Sequence, residues 1–301
     1  MSGEVALSTM WSPKYSAMAE FVRDVKEFGF THVELNSSLG SEALEELLSI
    51  GKLQVSSVHA PCPNLVTGDK LTSKLSLGSM NEDERQEAVR ATQSTIDLAV
   101  KVRANVVLVH AGTVDMNPDM EKNLRKLHRE GKAGSSEFED LKCKLVSERE
   151  FMAAPHLEAV SESLIALADY AREQGIRIAL ENRVHYPEIP TLAEMLDILS
   201  QHSPEVVGYW HDVGHAEILD RTGFIPHEEW LIALKDRMIG VHLHDLKGLR
   251  DHQAPGIGDF NWKLIADNLP ADVIKVCEIG EWNELEDARN AVSFLQSKGI
   301  V

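Results

Sequence analysis

A carboxylate and an imidazole lie three residues apart in the segment Trp210-His211-Asp212-Val213-Gly214-His215. The segment follows the short apolar run Val206-Val207-Gly208-Tyr209, which predicts a buried β-strand. Because side chains alternate between the two faces of a strand, Trp210 and Asp212 share one face. We therefore expect Asp212 at the mouth of the strand and His215 on the turn just beyond it, where both side chains are placed for metal or substrate binding.

Other predicted strands carry the same kinds of side chain at their carboxyl ends. These side chains are His59, His110, Glu181, Asp212, His242 and Glu278. Ionised carboxylates are costly to bury without a partner, so three of them converging on one mouth require a compensating charge. A divalent cation is the simplest partner for three carboxylates and several imidazoles. The sequence therefore predicts a metal centre at the strand ends.

Each of these side chains also has an interpretation without a metal. A single buried histidine is more often a hydrogen-bonded core residue than a ligand. Glu181 could pair with Arg183, and Asp212 could cap the helix that follows it. The joint occurrence of four such residues is what favours a metal site, namely Glu181, Asp212, His242 and Glu278.

Three further residues have two interpretations each. His244 lies two residues after His242, on the same face but farther out, and it could support the centre or lie at its rim. Trp210 could stack on a sugar ring or fill the interior of the fold. For Glu34, on the second predicted strand, a substrate contact is possible, and a salt bridge is favoured.

Short apolar runs alternate with amphipathic stretches along the chain, which predicts eight strands separated by helices. The predicted strands are Val5–Met10, His32–Asn36, Leu53–His59, Asn105–His110, Arg177–Glu181, Val206–Asp212, Ile239–Asp245 and Val273–Gly280. Such an alternation implies parallel strands joined by right-handed crossovers. A closed (β/α)8 TIM barrel is the economical form, and an open doubly wound sheet is the alternative. No GxGxxG motif opens the first helix, so a dinucleotide-binding fold has no support.

Predicted helices fill the intervals, with one exception in the middle of the chain. The first predicted helix starts at Ser12-Pro13. The others are Ser41–Ile50, a helix from Asn81 to about Val102, His156–Gln174, Leu192–Leu199, Glu228–Met238, Trp262–Leu269 and Leu285–Leu295. Residues 60–80 predict a long loop. Residues 113–150 are a mixed-charge insertion after the fourth strand, and we expect a partly helical lid on the site-bearing side. We predict one domain over residues 1–301.

The composition limits the classes of partner. The net charge of −18 disfavours nucleic acid, because non-specific affinity for nucleic acid depends on a basic surface. Cys62, Cys143 and Cys277 are far apart, which argues against a disulfide framework or a zinc knuckle. Neither a signal peptide nor an apolar run of membrane-spanning length is present, so we expect a cytoplasmic protein with no membrane contact. The oligomeric state is open.

The strand ends and the loops that follow them carry an ordered set of motifs. These are Ser57-Val58-His59-Ala60-Pro61, Val109-His110-Ala111-Gly112, Leu180-Glu181-Asn182, His211-Asp212-Val213-Gly214-His215, Val241-His242-Leu243-His244-Asp245 and Pro255-Gly256-Ile257-Gly258-Asp259. In this order they resemble the xylose-isomerase-like barrels, a superfamily that holds sugar isomerases and epimerases together with endonuclease IV. The resemblance covers nearly the whole chain apart from the insertion. It identifies a superfamily and leaves the reaction open.

The resemblance implies roles for individual residues. One shared metal is expected on Glu181, Asp212, His242 and Glu278, with the two glutamates also moving protons on opposite faces of the substrate. His215 is expected to contact substrate oxygens. In the endonuclease branch, His59 and His110 complete a second zinc site, and a third uses His215, a later Asp and a later His, which is His252 here. Arg250 occupies the position expected for that Asp, with Asp251 next to it, and this departure disfavours a third metal. Arg250 would suit an oxyanion or a phosphate of a small substrate.

Two classes of enzyme follow from these residues. The first is an isomerase or epimerase of a small sugar, sugar phosphate or related polyol that works by proton transfer and a metal-stabilised enediolate, and a cyclic polyol dehydratase fits the same residues almost equally well. The second is an endonuclease IV-like zinc phosphodiesterase. A third, non-enzymatic interpretation, a barrel with a vestigial metal site, lacks support because the four shared ligands are present. Carboxylate ligands suit Mn²⁺, Mg²⁺ or Co²⁺ and extra histidines favour Zn²⁺, with one ion expected and two possible.

Overall fold

Eight parallel strands form a closed barrel in a computed structural model that describes residues 3–51 and 53–301. The barrel strands are β1 (Ala6–Ser8), β2 (His32–Leu35), β3 (Gln54–His59), β4 (Val106–Val109), β5 (Arg177–Glu181), β6 (Val207–Asp212), β7 (Met238–Leu243) and β8 (Ile274–Cys277). Neighbouring strands pair in chain order, and β8 pairs with β1 to close the ring. The predicted (β/α)8 barrel is confirmed, and the open sheet is excluded.

Helices connect the strands along the outside of the barrel. They are α1 (Met18–Glu27), α2 (Ser41–Ile50), α3 (Glu82–Val102), α4 (Pro118–Arg129), α5 (Ser136–Gln174), α6 (Leu192–Ser200), α7 (Val213–Arg221), α8 (His227–Ala233), α9 (Lys263–Asn268) and α10 (Leu285–Ser297). Their apolar faces and the outer faces of the strands form the main core. Among the described helices, none combines the length and apolarity that crossing a membrane requires.

A single tryptophan fills much of the barrel interior. Trp210 is fully buried and packs in a cluster of small and aliphatic side chains from the other strands, which are Ala6, Val106, Leu108, Ala179, Ile239 and Val276. Gly240, its neighbour on β7, makes room for the ring, because a Cβ atom there would lie 2.2 Å from a ring carbon. This packed interior is a rigid floor beneath the mouth of the barrel.

Strand register brings the chemically active residues to the same height. Asp212 at the end of β6 pairs with His242 on β7. Leu243, the next residue of β7, pairs with Cys277 at the end of β8, so that Glu278 emerges directly beyond that strand. On the other side of β6, Trp210 pairs with Glu181 of β5. The carboxyl ends of four adjacent strands thus meet at one mouth.

Several predicted boundaries are wrong. The first helix does not begin at Ser12-Pro13, because residues Thr9–Lys14 form a 3-10 helix and α1 begins only at Met18. The predicted loop over residues 60–80 contains a two-stranded hairpin and a short 3-10 helix. The helix predicted over Glu228–Met238 stops at Ala233, and α7, which was not predicted, begins directly after Asp212.

The insertion at residues 113–150 forms a helical hairpin. Its helices are α4 and the first half of α5, which runs without interruption through Pro155, so the helix predicted over His156–Gln174 is only the second half of a 39-residue helix. A small separate core joins the two helices, and Tyr186 from the loop after β5 and Phe224 from the segment between α7 and α8 pack against it. The hairpin therefore contacts loops at the site-bearing end of the barrel. Its action as a lid stays a prediction, as does the one-domain description of residues 1–301, of which 1, 2 and 52 lie outside the described part.

Candidate metal centre

Four buried side chains from adjacent strand ends meet at the mouth of the barrel. They are Glu181, Asp212, His242 and Glu278, and one ligand atom of each lies within 4.8 Å of those of the others. The Nδ1 atom of His242 is central, at 2.8 Å from Glu181 Oε1, 3.1 Å from Glu278 Oε2 and 3.4 Å from Asp212 Oδ2. The structure therefore brings together the four residues for which we predicted a shared metal. Their role as ligands stays a prediction.

Electrostatics keep these carboxylates ionised despite their burial. Burial alone would raise the pKa of Glu181, but Arg183 and the neighbouring histidines hold it well below its usual range. Burial opposes ionisation of Glu278 in the same way, and His242 and His252 lower its pKa to about 2. Burial would lower the pKa of His242, yet Glu278 and Glu34 raise it well above its ordinary value. The mouth thus concentrates negative charge around one imidazole.

The donor set fits a divalent cation. Three carboxylates and one imidazole supply hard oxygen donors and one nitrogen, a combination that suits Mn²⁺, Mg²⁺, Co²⁺ or Zn²⁺. Asp212 reaches the centre with Oδ2 while its Oδ1 accepts the backbone N–H of His215. It therefore also caps a helix, its alternative interpretation, although that helix, α7, was not predicted. This second bond fixes the carboxylate relative to the helix that carries His215.

Glu34 supports the centre from below. Its Oε1 lies 2.9 Å from Nε2 of His242, and its Oε2 accepts the hydroxyl of Ser57 at 2.7 Å. Both Glu34 and His242 are fully buried. The predicted salt bridge of Glu34 is confirmed, and its effect is to orient the Nδ1 atom of His242 toward the three carboxylates.

A second group of potential ligands adjoins the first. Nε2 of His110 lies 2.7 Å from Glu181 Oε2 and 2.8 Å from Nε2 of His59. Nδ1 of His59 is buried and has no hydrogen-bond partner among the described residues. Burial lowers the pKa of His59 to about 3, which keeps its imidazole neutral and available to a metal. His59, His110 and Glu181 therefore form the predicted second cluster.

A third cluster corrects the interpretation of Arg250. The sequence count placed Arg250 where an aspartate would be needed, but Asp251 reaches the site instead: its Oδ2 lies 3.8 Å from Nε2 of His215, and its Oδ1 lies 3.3 Å from Nδ1 of His252. His252 has a φ of 53°, which breaks the alternation of the short strand Arg250–Gln253. His215, Asp251 and His252 thus form a third potential metal-binding group.

The remaining predicted residues have different positions. His244 is fully buried and its Nε2 lies 3.0 Å from both oxygens of Asp212, so it supports the centre and is not at the rim. The Trp210 ring is fully buried below His242, at 5.2 Å between ring centroids. Of its two predicted roles, the position matches filling of the interior, and a substrate contact for Trp210 stays a prediction. Arg250 lies exposed at the rim of the mouth.

Sequence reasoning missed a buried polar network behind Asp212. Asn182 donates through Nδ2 to the Asp212 carbonyl and accepts from the Asp212 N–H. The Tyr209 hydroxyl donates to Asn182 Oδ1 and lies 2.7 Å from His211 Nδ1, and the network continues to His227. The only sequence signal was the number of polar residues around a strand otherwise made of buried apolar side chains.

Comparisons with known proteins place this geometry in a family. A sequence model of the xylose isomerase-like TIM barrel family matches residues 22–298. The uncharacterized protein y4fM of Sinorhizobium fredii is 25% identical over 266 residues, which cover 82% of this chain and 75% of the relative.

Two solved structures illustrate the similarity of the fold. A D-tagatose 3-epimerase-like protein superimposes with a TM-score of 0.66 at 20% identity, covering 98% of this chain and 97% of the other. A Thermus thermophilus protein, TTHB071, studied after soaking with ZnCl2, superimposes with a TM-score of 0.63 at 21% identity, covering 99% and 98%. The chain therefore belongs to the xylose isomerase-like TIM barrel family.

Proposed function

We propose that the protein is a divalent-metal-dependent isomerase or epimerase of a small sugar, sugar phosphate or related polyol. The observation that carries the proposal is the placement of Glu181 and Glu278. They project from β5 and β8, three strand positions apart around an eight-stranded ring, with Asp212 and His242 on the strands between them. Two carboxylates on opposite sides of one site can address opposite faces of a substrate. The D-tagatose 3-epimerase-like neighbour supports this class of reaction.

The four residues of the centre would have two roles, metal binding and proton transfer. Glu181, Asp212, His242 and Glu278 would hold the ion, which supplies positive charge next to a substrate carbonyl and so acidifies the adjacent C–H. One glutamate would remove that proton and the other would return it to the opposite face. Their burial excludes water and strengthens each interaction in the site.

Other side chains would bind and orient the substrate. His215 and His252 lie at the mouth: Nδ1 of His215 is 3.9 Å from Glu181 Oε1, and Nε2 of His252 is 3.2 Å from Glu278 Oε2. Arg183 donates to Glu181 Oε2 at 2.6 Å and to Glu188 Oε1 at 3.0 Å. This pairing would hold Glu181 in one orientation during turnover. In a polyol dehydratase one glutamate would remove the same C–H proton, and the other would protonate the hydroxyl on the neighbouring carbon, which would leave as water.

Solvent isotope exchange tests the proposal. The metal-loaded protein is incubated in D₂O with ketoses, aldoses and inososes, and deuterium at the carbon next to the carbonyl is measured by NMR. We expect exchange with at least one substrate. Glu278→Gln should slow both exchange and turnover by about 10²–10⁴-fold, because Gln retains a carbonyl oxygen but cannot accept the proton.

Glu281→Gln is the matched control, because this exposed glutamate lies three residues away in the same loop. It should leave both rates unchanged. Absence of exchange with every sugar tried would overturn the proposal. Equal activity of Glu278→Gln and the wild type would exclude Glu278 as the group that moves the proton.

A zinc phosphodiesterase is the second candidate, and the cluster of His215, Asp251 and His252 favours it. With the two other groups, the mouth offers ligands for as many as three ions, and Asp251 supplies the carboxylate that Arg250 lacks. In a phosphodiesterase no substrate carbon loses a proton. Cleavage of an abasic-site oligonucleotide without any C–H exchange, and with activity proportional to the zinc content, would establish this function instead.

A further inference from the structure

An exposed tryptophan lies beside the candidate metal centre and has no role in the proposed proton transfer. Trp282 follows Glu278 by four residues and is 46% exposed. The four other tryptophans, at positions 11, 210, 230 and 262, are at most 4% exposed. A large aromatic ring that faces solvent at the mouth of an enzyme-like barrel is typical of a ligand-binding surface.

Three contacts fix the Trp282 ring in place. The ring lies where a side chain at Gly280 would be, since a Cβ atom there would lie 2.3 Å from it. His252 meets it nearly edge-on, with ring centroids 6.3 Å apart and an angle of 85°. Asn283 ties the loop down by donating to the carbonyls of both His252 and Gly280. Such a ring loses little conformational freedom when a ligand binds.

The third group in contact with the ring itself, after Gly280 and His252, is a guanidinium group. The Cζ atom of Arg250 lies 5.2 Å from the Trp282 ring centroid. Other arginines around the mouth are paired: Arg183 with Glu181 and Glu188, and Arg125 with Glu121. Arg250 forms no salt bridge with any carboxylate of residues 3–51 and 53–301. In a chain with a net charge of −18, an arginine that is held over an aromatic ring and lacks a carboxylate partner has its donors free for an external anion.

From this geometry we infer that Trp282 and Arg250 form a subsite for a sugar that carries an anionic group, either a phosphate or a carboxylate. The sugar packs its C–H groups against the indole, and the guanidinium donates two parallel hydrogen bonds to the anion. His252 links the subsite to the centre, because it contacts both Trp282 and Glu278. The inference rests on the proposed function and narrows its substrate class to acidic sugars.

Tryptophan fluorescence reads the subsite directly, because Trp282 is the one exposed indole of the five. The metal-loaded protein is titrated with glucose 6-phosphate, glucuronate and glucose at constant ionic strength. We expect a saturable change of emission with one or both anionic sugars and none with glucose at the same concentrations. The stronger of the two anionic responses identifies phosphate or carboxylate as the preferred group.

Two variants and a control test the residues. Trp282→Phe should abolish the change of emission while circular dichroism shows the fold intact. Arg250→Gln should raise the apparent dissociation constant about 10–100-fold, as expected for loss of a hydrogen bond to a charged group. Arg289→Gln should leave it unchanged, because Arg289 stacks on Phe28 in the same manner, at 5.3 Å, but away from the mouth.

Some outcomes would overturn the inference. These are an equal response to glucose, no response to any of the three sugars, an unaltered affinity in Arg250→Gln, or tighter binding of an abasic-site oligonucleotide than of either acidic sugar. The test separates the subsite from the proposed reaction. Exchange of a neutral sugar with unaltered kinetics in Arg250→Gln would leave the reaction standing and remove the subsite. Saturable binding of an acidic sugar without any C–H exchange would support the subsite and overturn the proposed reaction.

Discussion

The Nε2 atom of His242 lies 2.9 Å from Oε1 of Glu34, and its Nδ1 atom faces Glu181, Glu278 and Asp212. One carboxylate therefore holds the imidazole from below while three others surround its upper nitrogen. With an ion bound, the hydrogen bond to Glu34 would hold the single ring proton on Nε2 and leave the lone pair of Nδ1 for the metal. This arrangement of carboxylate, histidine and ion is common at metal centres and raises the basicity of the ligating nitrogen.

Glu34→Gln should weaken metal binding by about 10–100-fold, the usual effect of losing a residue that orients a metal ligand. The amide retains the size of the side chain but no longer forces the proton onto Nε2. Metal affinity is measured by competition with a fluorescent chelator.

Ser57→Ala is the matched control for Glu34→Gln. It removes the hydrogen bond to Oε2 of Glu34 and keeps the carboxylate, so its effect should be clearly smaller. Equal affinities of the wild type and Glu34→Gln for Mn²⁺ and Zn²⁺ would show that Glu34 does not act through His242.

Metal addition should stabilise the protein against heat, because an ion bound only by the folded state relieves the repulsion among buried carboxylates. At a free metal concentration of about 100 times Kd, the gain is about 2.7 kcal/mol. Asp212→Asn should lose this gain. Asparagine is a good N-cap, so the side-chain oxygen at position 212 still accepts the N–H of His215, and the metal-free protein stays folded.

Asp259→Asn serves as the comparison for Asp212→Asn, because Asp259 pairs with Arg221 at the surface. It should retain the full metal-induced shift of Tm in differential scanning calorimetry. A shift in Asp212→Asn as large as that of the wild type would mean that the ion binds elsewhere.

The strand ends were predictable from the sequence because two simple rules govern them. Apolar runs of strand length mark the strands, and parallel strands of a barrel end at one mouth. The polar residues at or near the end of each run therefore had to converge, and the structure brings Glu181, Asp212, His242 and Glu278 within reach of one ion.

Loop geometry could not be predicted in the same way. Counting residues back from Gly256-Ile257-Gly258 assumes regular alternation, which the left-handed backbone of His252 breaks. Asp251 therefore reaches His215, and Arg250 turns to the rim. The exposure of Trp282 likewise depends on its packing against Gly280, a contact that strand periodicity does not encode.

The buried polar network behind Asp212, which includes Tyr209, Asn182 and His211, should contribute to the stability of the fold. Tyr209→Phe leaves Nδ1 of buried His211 without its partner at 2.7 Å and removes a donor to Asn182. An unpaired buried polar group costs about 1–3 kcal/mol. We expect a loss of that size in the free energy of unfolding, measured with urea.

Tyr170→Phe is the comparison, because the Tyr170 hydroxyl donates to Asp97 at an exposed position. Its free energy of unfolding should change by no more than about 0.5 kcal/mol. Equal losses in the two variants would contradict a special contribution of the buried network.

The acid stability of the protein should depend on Glu188. Burial alone would raise the pKa of Glu188, but Arg183 at 3.0 Å and the N–H of His185 at 2.9 Å lower it from 4.5 to about 2. Because the folded-state pKa is lower than the unfolded-state value, Glu188 contributes stability above about pH 4.5 and loses it as the pH falls toward 2. The contribution at neutral pH is on the order of 3 kcal/mol.

Glu188→Gln should therefore unfold more easily than the wild type in urea at pH 7, and the difference in unfolding free energy should shrink steadily between pH 4.5 and pH 2. Glu158→Gln is the control, because Glu158 is exposed on α5 and pairs with no described cation. Its stability should match that of the wild type at each pH. A difference between Glu188→Gln and the wild type that stays constant over this range would show that the ion pair with Arg183 is not what lowers the pKa of Glu188.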